Sequence, residues 1–210
     1  EQLVPLVEAG PRIEALLKLG KVLELVGEWS RAEKVVVEAL GLAQHLGDRL
    51  ACAGCETALA ETARKQGRYD EAVERLERAA RDFLTLGDDA GVGRVLHLAG
   101  TVAAQRGDYA KATENYQESL AIRERLGDKA SMGALLSNLG IVVEYQGDLD
   151  AARRFHERAL ALRTETGDRW AIAVSTNNLG LILAMQRRFD EARTLLQRSM
   201  QLSREVGDSW

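Results

Sequence analysis

Residues 167–208 read GDRWAIAVSTNNLGLILAMQRRFDEARTLLQRSMQLSREVGD, and this stretch decides the fold. Apolar residues recur at helical spacing on both sides of Arg187-Arg188, which predicts two helices, 169–186 and 189–206, joined by a short turn. Asp168 is placed to cap the first helix, because its carboxylate can accept hydrogen bonds from exposed backbone N–H groups. A connection this short requires the two helices to run antiparallel.

The two-helix pattern recurs along the chain every 40 residues, without an insertion. Gly-Asp pairs occupy 47–48, 87–88, 127–128, 167–168 and 207–208, and the middle turn of each copy begins with Gly27, Gly67, Gly107, Gly147 or, in the last copy, Arg187. Three further columns keep the same phase: an aromatic or leucine residue after the turn (Trp29, Tyr69, Tyr109, Leu149, Phe189), an alanine three positions later (Ala32, Ala72, Ala112, Ala152, Ala192) and a small residue in the first helix (Gly20, Ala60, Gly100, Gly140, Gly180). We expect the small residues to lie where the two helices cross, and the aromatic column to fill the space at the turn.

One helix pair cannot bury its apolar face alone, so neighbouring pairs stack and share a continuous core. The sequence therefore predicts an all-α solenoid of five antiparallel helix pairs in one domain, 1–210. The repeats cover about 8–47, 48–87, 88–127, 128–167 and 168–207. Residues 1–6 are in phase with the end of a second helix, and 207–210 with the start of another repeat. We therefore expect a fragment of a longer array.

Composition excludes several classes of protein. The 28 basic and 32 acidic residues give a net charge of −4, which does not favour nucleic acid or an anionic membrane as a partner. No stretch approaches the roughly 20 apolar residues of a membrane span, and no secretory signal opens the chain. Two cysteines without such a signal do not make a disulfide framework, so we expect a cytoplasmic protein.

Residue types that carry catalysis do not converge in this sequence. Cys52 and Cys55 form a C-x-x-C pair, but the matching positions of the other repeats are mostly apolar. That pattern favours core packing over redox chemistry or a zinc site. His156 shares its column with Tyr116 and Leu196 and is expected in the core. Because no nucleophile–base order, phosphate loop or HExxH-type motif is present, we predict no catalytic residue, no metal and no cofactor.

At these positions the chain resembles the tetratricopeptide repeat (TPR) family. The residues that carry the resemblance are Leu179-Gly180, Ala192 and Leu196; Leu139-Gly140, Ala152 and Ala159; and Gly100, Ala112 and Tyr116. The period of 40 residues and the Asn-Leu-Gly runs at 138–140 and 178–180 are similar to the long-repeat subclass. Kinesin light chains, spindle-orientation adaptors and the sensor arrays of bacterial signalling ATPases and transcription regulators carry such repeats. The resemblance implies a right-handed superhelix.

The resemblance also implies a binding site, because the first helices of this family line a concave groove that receives a peptide or a partner helix. We call the corresponding positions here the groove residues. They are Glu14, Leu17, Lys21 and Glu24; Thr57, Glu61, Arg64 and Lys65; Arg94, His97, Thr101 and Gln105; Ser137, Asn138, Ile141, Glu144 and Tyr145; and Val174, Asn177, Asn178, Leu181 and Met185.

Two features of the groove residues bear on the ligand. Asn138 and Asn178 match the asparagine that holds a bound peptide's backbone in family members, since an amide both donates and accepts; the alternative is that each braces the adjoining repeat. The groove changes from charged side chains in the second and third repeats to more apolar ones in the fourth and fifth. This suits a ligand with a polar and a hydrophobic half, or is ordinary surface variation. Ser137 and Asn177 stand where capture of a C-terminal carboxylate needs lysine, which argues against that ligand.

The resemblance therefore implies a non-catalytic scaffold for protein–protein interaction, in the regulatory or sensor region of a larger bacterial signalling protein. Two alternatives stay open. The first is self-association, through the uncapped ends or through a groove that accepts another part of the same chain. The second is a regulatory module of an enzyme whose catalytic domain lies outside these residues.

Overall fold

The structure, a computed structural model, describes residues 6–207. Within that range the chain forms ten α-helices and no strand. They are α1 (Leu6–Leu25), α2 (Trp29–Leu46), α3 (Arg49–Lys65), α4 (Tyr69–Leu86), α5 (Asp89–Gln105), α6 (Tyr109–Leu126), α7 (Lys129–Tyr145), α8 (Leu149–Thr166), α9 (Arg169–Met185) and α10 (Phe189–Gly207). The all-α prediction of five helix pairs is confirmed.

The helix ends follow from the Gly-Asp pairs. The Asp48, Asp128 and Asp168 carboxylates each accept a hydrogen bond from the backbone N–H three residues on, at 2.9 to 3.1 Å, which satisfies one of the open donors of the helix. Eight glycines at the turns have φ between 68° and 88°, and Arg187 shares this left-handed conformation at φ 62°. The predicted caps and turns are therefore confirmed.

Close helix crossings within the repeats depend on the small-residue column. A Cβ added at Gly20 would lie 2.6 Å from Val36, and one at Gly140 would lie 2.6 Å from the His156 ring. At Gly180 the nearest Leu196 carbons would be at 3.0 Å. Each glycine thus lets the second helix of its repeat approach the backbone of the first, as predicted.

The chain divides into two compact units, an N-terminal unit, 1–102, and a C-terminal unit, 103–210. Phe83, Leu59 and Val102 are buried in the N-terminal unit, and Leu135 and Leu139 in the C-terminal unit. In the N-terminal unit α2 packs on α3, and in the C-terminal unit α8 packs on α9. Within each unit, the second helix of one repeat therefore covers the first helix of the next at these places, as the repeat pattern predicts.

Side-chain burial departs from the prediction in the aromatic column. Tyr69, Tyr109 and Leu149 pack against the cores, but Trp29 is 40% exposed and Phe189 is 61% exposed. The prediction that this column fills the turn is wrong for those two side chains, because neither is covered by a neighbouring helix.

The predicted end of the last helix also needs a correction. The helix was predicted over 189–206, ending before Gly207, but α10 includes this glycine. Asp208, predicted to begin a further repeat, lies outside the described residues, as do most of residues 1–6, whose phase was noted above.

Candidate functional site

A cleft of about 570 Å³ opens in the N-terminal unit between α1, α3 and α5, and we call it the α1–α3–α5 cleft. Its volume falls within the range of small-ligand and peptide pockets. Ten of the groove residues line it: Leu17, Lys21, Glu24, Thr57, Glu61, Arg64, Lys65, Arg94, His97 and Thr101. Gly20, Leu25, Val36, Gly54, Ala58 and Leu98 complete the lining.

The cleft is open partly because Gly54 has no side chain. In the 40-residue register Gly54 shares its column with Glu14 and Arg94, whose long side chains would occupy that space. A Cβ built at Gly54 meets no atom within 4 Å, so the position faces free volume. A larger residue at this position would therefore extend into the cleft without displacing the core.

Apolar side chains form much of the cleft wall. Leu17 and Leu98 are half-buried, and Leu25 is 77% exposed at the end of α1. Such surface can remove an apolar side chain of a ligand from water, which is the main source of affinity in most pockets.

Two carboxylates of the cleft are already paired. Glu24 on α1 accepts a hydrogen bond from the Thr62 hydroxyl and lies 3.0 Å from the Lys65 ammonium, both on α3. Glu61 accepts two hydrogen bonds from the Arg64 guanidinium, at 2.7 and 2.8 Å. This hydrogen bond with Glu61 is the main reason that the pKa of Arg64 lies above its ordinary value. The contacts of Glu24 join α1 to α3 and so fix two walls of the cleft.

Two cations of the cleft are exposed, and only one of them has a carboxylate partner among the described residues. Lys21 is exposed and forms no ion pair with any described residue. The Arg94 side chain is 52% exposed, 3.7 Å from Asp88, and its guanidinium carbon lies 5.4 Å from the centroid of the Phe83 ring. With Arg64 and Lys65 the cleft holds four permanent cations against two carboxylates, an excess of two positive charges.

The remaining predicted site residues lie in the C-terminal unit, on α7 and α9. They are Ser137, Asn138, Ile141 and Tyr145 on α7, and Asn177, Asn178, Leu181 and Met185 on α9. Ser137 is buried and its hydroxyl has no hydrogen-bond partner among the described residues, so it does not offer the surface group that the groove position suggested. Asn178 is half-buried, and its amide likewise has no partner in the described part of the chain.

Large apolar side chains are exposed on these two helices. The exposed fractions are 39% for Ile141, 68% for Tyr145, 49% for Leu181 and 51% for Met185. The Tyr145 ring stacks on Tyr109 with centroids 5.3 Å apart and planes 1° from parallel. Burial also raises the pKa of the neighbouring Glu144 carboxyl. The C-terminal unit therefore presents an apolar face, in contrast to the charged cleft of the N-terminal unit.

Sequence reasoning missed several residues of the cleft, although the repeat register contained the signal. Gly54 shares the column of Arg94, and Ala58 and Leu98 share the column of Asn138 and Asn178. Any of these positions could have been included by carrying the whole column across the repeats. The groove residues predicted from the sequence include Glu14, Arg94 and Val174 from the first column and Asn138 and Asn178 from the second, but not the smaller residues that give the cleft its volume.

Other candidate chemistry is structural. Cys55 is buried, and burial raises the pKa of its thiol to about 12, so at neutral pH it is not a thiolate. Cys52 is half-buried and packs against the hydrophobic cluster that contains Cys55, which confirms the predicted core packing of the pair. No group of three His, Cys, Asp or Glu side chains is arranged for a metal ion within the described residues. Among the described helices, none combines the length and apolarity that crossing a bilayer requires.

Comparisons with known proteins agree with the geometry. A family model described as "Tetratricopeptide repeat" matches residues 12–85 and 91–165, and a second model with the same description matches 172–206. No curated protein sequence matches the chain significantly.

Several solved structures share the fold. BtubC (BKLC) from P. vanneervenii is 23% identical, with a TM-score of 0.80 over 96% of this chain and 91% of that protein. A Signal Transduction ATPase with Numerous Domains (STAND) protein with a tetratricopeptide repeat sensor, from Pyrococcus horikoshii, is 14% identical, with a TM-score of 0.85 over 97% of this chain and 31% of that one. NprR in complex with its cognate peptide NprX is 15% identical, with a TM-score of 0.71 over 94% of this chain and 57% of NprR. At these identities the likeness concerns the fold alone.

Proposed function

Because the chain belongs to the tetratricopeptide repeat family, we propose that it is a protein-interaction scaffold whose first helices hold a peptide or a partner helix. The observation that carries the proposal is the α1–α3–α5 cleft, which gathers side chains of three successive repeats into one cavity of about 570 Å³. Its lining combines apolar surface with a few fixed charges, which is the usual composition of a recognition site.

Two structural relatives support a proposal for the biological setting. NprR was solved with a cognate peptide, and the P. horikoshii relative carries its repeats as a sensor of a signal transduction ATPase. By analogy, this chain would be the non-catalytic regulatory or sensor part of a larger bacterial signalling protein in the cytoplasm. In the C-terminal unit, we infer that the groove residues of α7 and α9, Asn138 and Asn178 among them, are the residues that contact a ligand.

The experiment that tests the proposal compares tryptophan substitutions at two glycines where an added side chain meets no neighbouring atom. Gly54 lies in the cleft and Gly41 lies exposed on α2, and an added Cβ meets nothing within 4 Å at either position. Random peptides displayed on phage would be selected against the full chain, and the enriched peptides measured by fluorescence anisotropy. We expect Gly54→Trp to abolish binding and Gly41→Trp to leave it unchanged. Failure to enrich any peptide, or equal binding by both variants, would contradict the proposal.

Self-association is a second candidate function, and one observation favours it. Leu19 and Val22 on α1 are 45% and 55% exposed. The same columns in later repeats are buried: Leu59 is 2% exposed, Val142 2% and Ile182 0%. In those repeats, the second helix of the preceding repeat covers these positions of the first helix. In self-association, α10 of another copy would cover the corresponding face of α1.

Light scattering across a range of protein concentrations tests this second candidate. We expect a molar mass that rises with concentration for the parent chain and stays constant for Val22→Glu, which places a charge in the open face. A parent chain whose mass does not change with concentration would exclude self-association.

A further inference from the structure

The closely paired charges Glu24 and Arg64 of the α1–α3–α5 cleft are recessed, whereas Lys21 and Arg94 are its exposed cations. The Glu24 and Arg64 side chains are only 10% and 15% exposed, and each is engaged by an oppositely charged group. Arg94 and Lys21 are exposed; Arg94 lies 3.7 Å from Asp88, and Lys21 forms no ion pair with a described residue. A ligand entering the cleft therefore meets these two cations before it reaches the neutralised pairs.

This distribution of charge discriminates between ligands. A basic peptide would be repelled at the rim, and the two carboxylates that could attract it already hold Lys65 and Arg64. An acidic peptide gains from both exposed cations, from Lys21 directly and from Arg94 in place of its 3.7 Å contact with Asp88, since the partly enclosed cleft concentrates their field. Such complementarity acts mainly on specificity and on the rate of association.

The apolar wall adds a second requirement. Leu17, Leu25 and Leu98 line the same cavity, and the missing side chain of Gly54 leaves free volume in it. A purely acidic segment would leave this surface in contact with water, whereas a bulky apolar side chain would cover it. The occupant that satisfies both features carries carboxylates beside a large apolar residue.

We propose that the α1–α3–α5 cleft is selective for an acidic peptide segment, whose carboxylates pair with Lys21 and Arg94 while an adjacent apolar side chain lies against Leu17, Leu25 and Leu98. The inference rests on the proposed function and assigns the ligand class of that site. It also assigns a role to the positive excess of the cleft in a chain whose net charge is −4.

The test uses two labelled peptide pools as probes. Both are short random peptides with a fixed central leucine, flanked by two glutamates in one pool and by two lysines in the other. Anisotropy titrations of the full chain should show about tenfold tighter binding of the acidic pool at low salt, corresponding to two charge contacts at a partly exposed rim. The preference should shrink between about 0.1 M and about 0.5 M salt, because exposed charges are screened.

Charge reversal identifies the residues responsible. Lys21→Glu with Arg94→Glu should remove the preference for the acidic pool or invert it. Lys34→Glu with Arg81→Glu changes the net charge of the chain by the same amount, but on exposed positions of α2 and α4 outside the cleft, and should keep the preference. Should the first variant melt at a lower temperature than the parent, Lys21→Gln with Arg94→Gln replaces it and should bind both pools alike.

The outcomes separate this inference from the proposed function. A parent chain that binds both pools equally or prefers the basic pool, or a control pair that loses the preference as fully as the cleft pair, overturns the acidic selectivity. If Gly54→Trp still abolishes binding in that case, the cleft remains a peptide site of another specificity. If neither pool binds, or if Gly54→Trp binds as the parent does, both the inference and the cleft as a peptide site fail.

Discussion

At the scale of single residues, the buried side chain of His156 makes the stability of the folded chain depend on pH. Its side chain is 0% exposed, and neither ring nitrogen has a hydrogen-bond partner among the described residues. Burial, and to a smaller extent the charge of Arg163, lower the pKa of His156 from 6.5 to about 4. The folded state therefore holds the neutral imidazole, whereas the unfolded chain binds a proton near pH 6.5.

We expect this histidine to make the chain less stable in mild acid. A folded pKa below the unfolded one contributes stability that is complete above about pH 6.5 and is lost as the pH falls toward 4. From pH 7 to 4.5 the loss attributable to His156 should be about 2 kcal/mol. Urea unfolding at both pH values measures it.

Two variants separate this contribution from that of other groups. His156→Leu, which places here the residue found at Leu76 and Leu196 of the same column, should remove most of the dependence. His45→Gln, at an exposed position on α2, should leave it intact. An unchanged pH dependence in His156→Leu would show that the imidazole is not the group responsible.

The two asparagines of the repeat signature provide a second prediction for single residues. Asn138 and Asn178 are half-buried, and the Asn178 amide has no internal partner in the described chain. We expect the double variant Asn138→Ala with Asn178→Ala to weaken binding of the phage-selected peptides. Its melting temperature should remain within a few degrees of the parent, because Asn178 loses no described hydrogen bond and only the interaction of Asn138 is removed. A variant that unfolds instead would identify the asparagines as structural braces.

At the scale of helices, the small-residue column sets how closely two helices of a repeat can approach. A Cβ at Gly140 would lie 2.6 Å from the imidazole of His156, so Gly140→Leu must displace either the ring or a helix. Overpacking of this kind costs about 1–3 kcal/mol or more. Gly41→Leu, in open space on α2, should cost nothing and could gain from the better helix propensity of leucine. Thermal unfolding of both variants, followed by circular dichroism, is the measurement; equal stability would refute the close crossing.

The helices also show what the sequence allows one to predict. Period, caps and turns follow from residues such as Asp168 and Gly147, and the observed helices α9 and α10 differ from the predicted ranges by one residue at their ends. Local chemistry governs these features, because a left-handed turn or a carboxylate cap acts within a few residues. Exposure of Trp29 and Phe189 was not predictable in this way, because it depends on whether a neighbouring helix covers the side chain.

The candidate site depends on longer-range geometry. The ion pair between Glu24 and Lys65 joins residues 41 positions apart. The two residues belong to different columns of the repeat, so the repeat pattern does not predict that they meet. Likewise, the volume of the cleft reflects the missing side chain of Gly54 and the approach of three helices, which residue types alone do not encode. Sequence columns predicted ten of the residues that line the cleft, and the structure was needed to find which repeats enclose a cavity.

At the scale of the whole molecule, stability is distributed according to which repeat faces are covered. In a repeat protein each helix pair is stabilised by its own packing and by its immediate neighbours. Val22 on α1 and Val142 on α7 occupy the same column of the repeat, yet their exposed fractions are 55% and 2%. The two valines therefore measure how much a neighbouring repeat contributes to one position.

The same substitution at these two sites should have opposite outcomes. We expect Val22→Glu to change the free energy of unfolding by less than about 0.5 kcal/mol, as is usual for exposed positions. Val142→Glu buries an unpaired carboxylate in the core of the C-terminal unit and should cost several kcal/mol or prevent folding. Urea unfolding at low protein concentration, where self-association is minimal, tests both. If Val22→Glu is as damaging as Val142→Glu, Val22 is covered even where self-association is minimal. The exposed face of α1, on which the self-association candidate rests, would then not exist in solution.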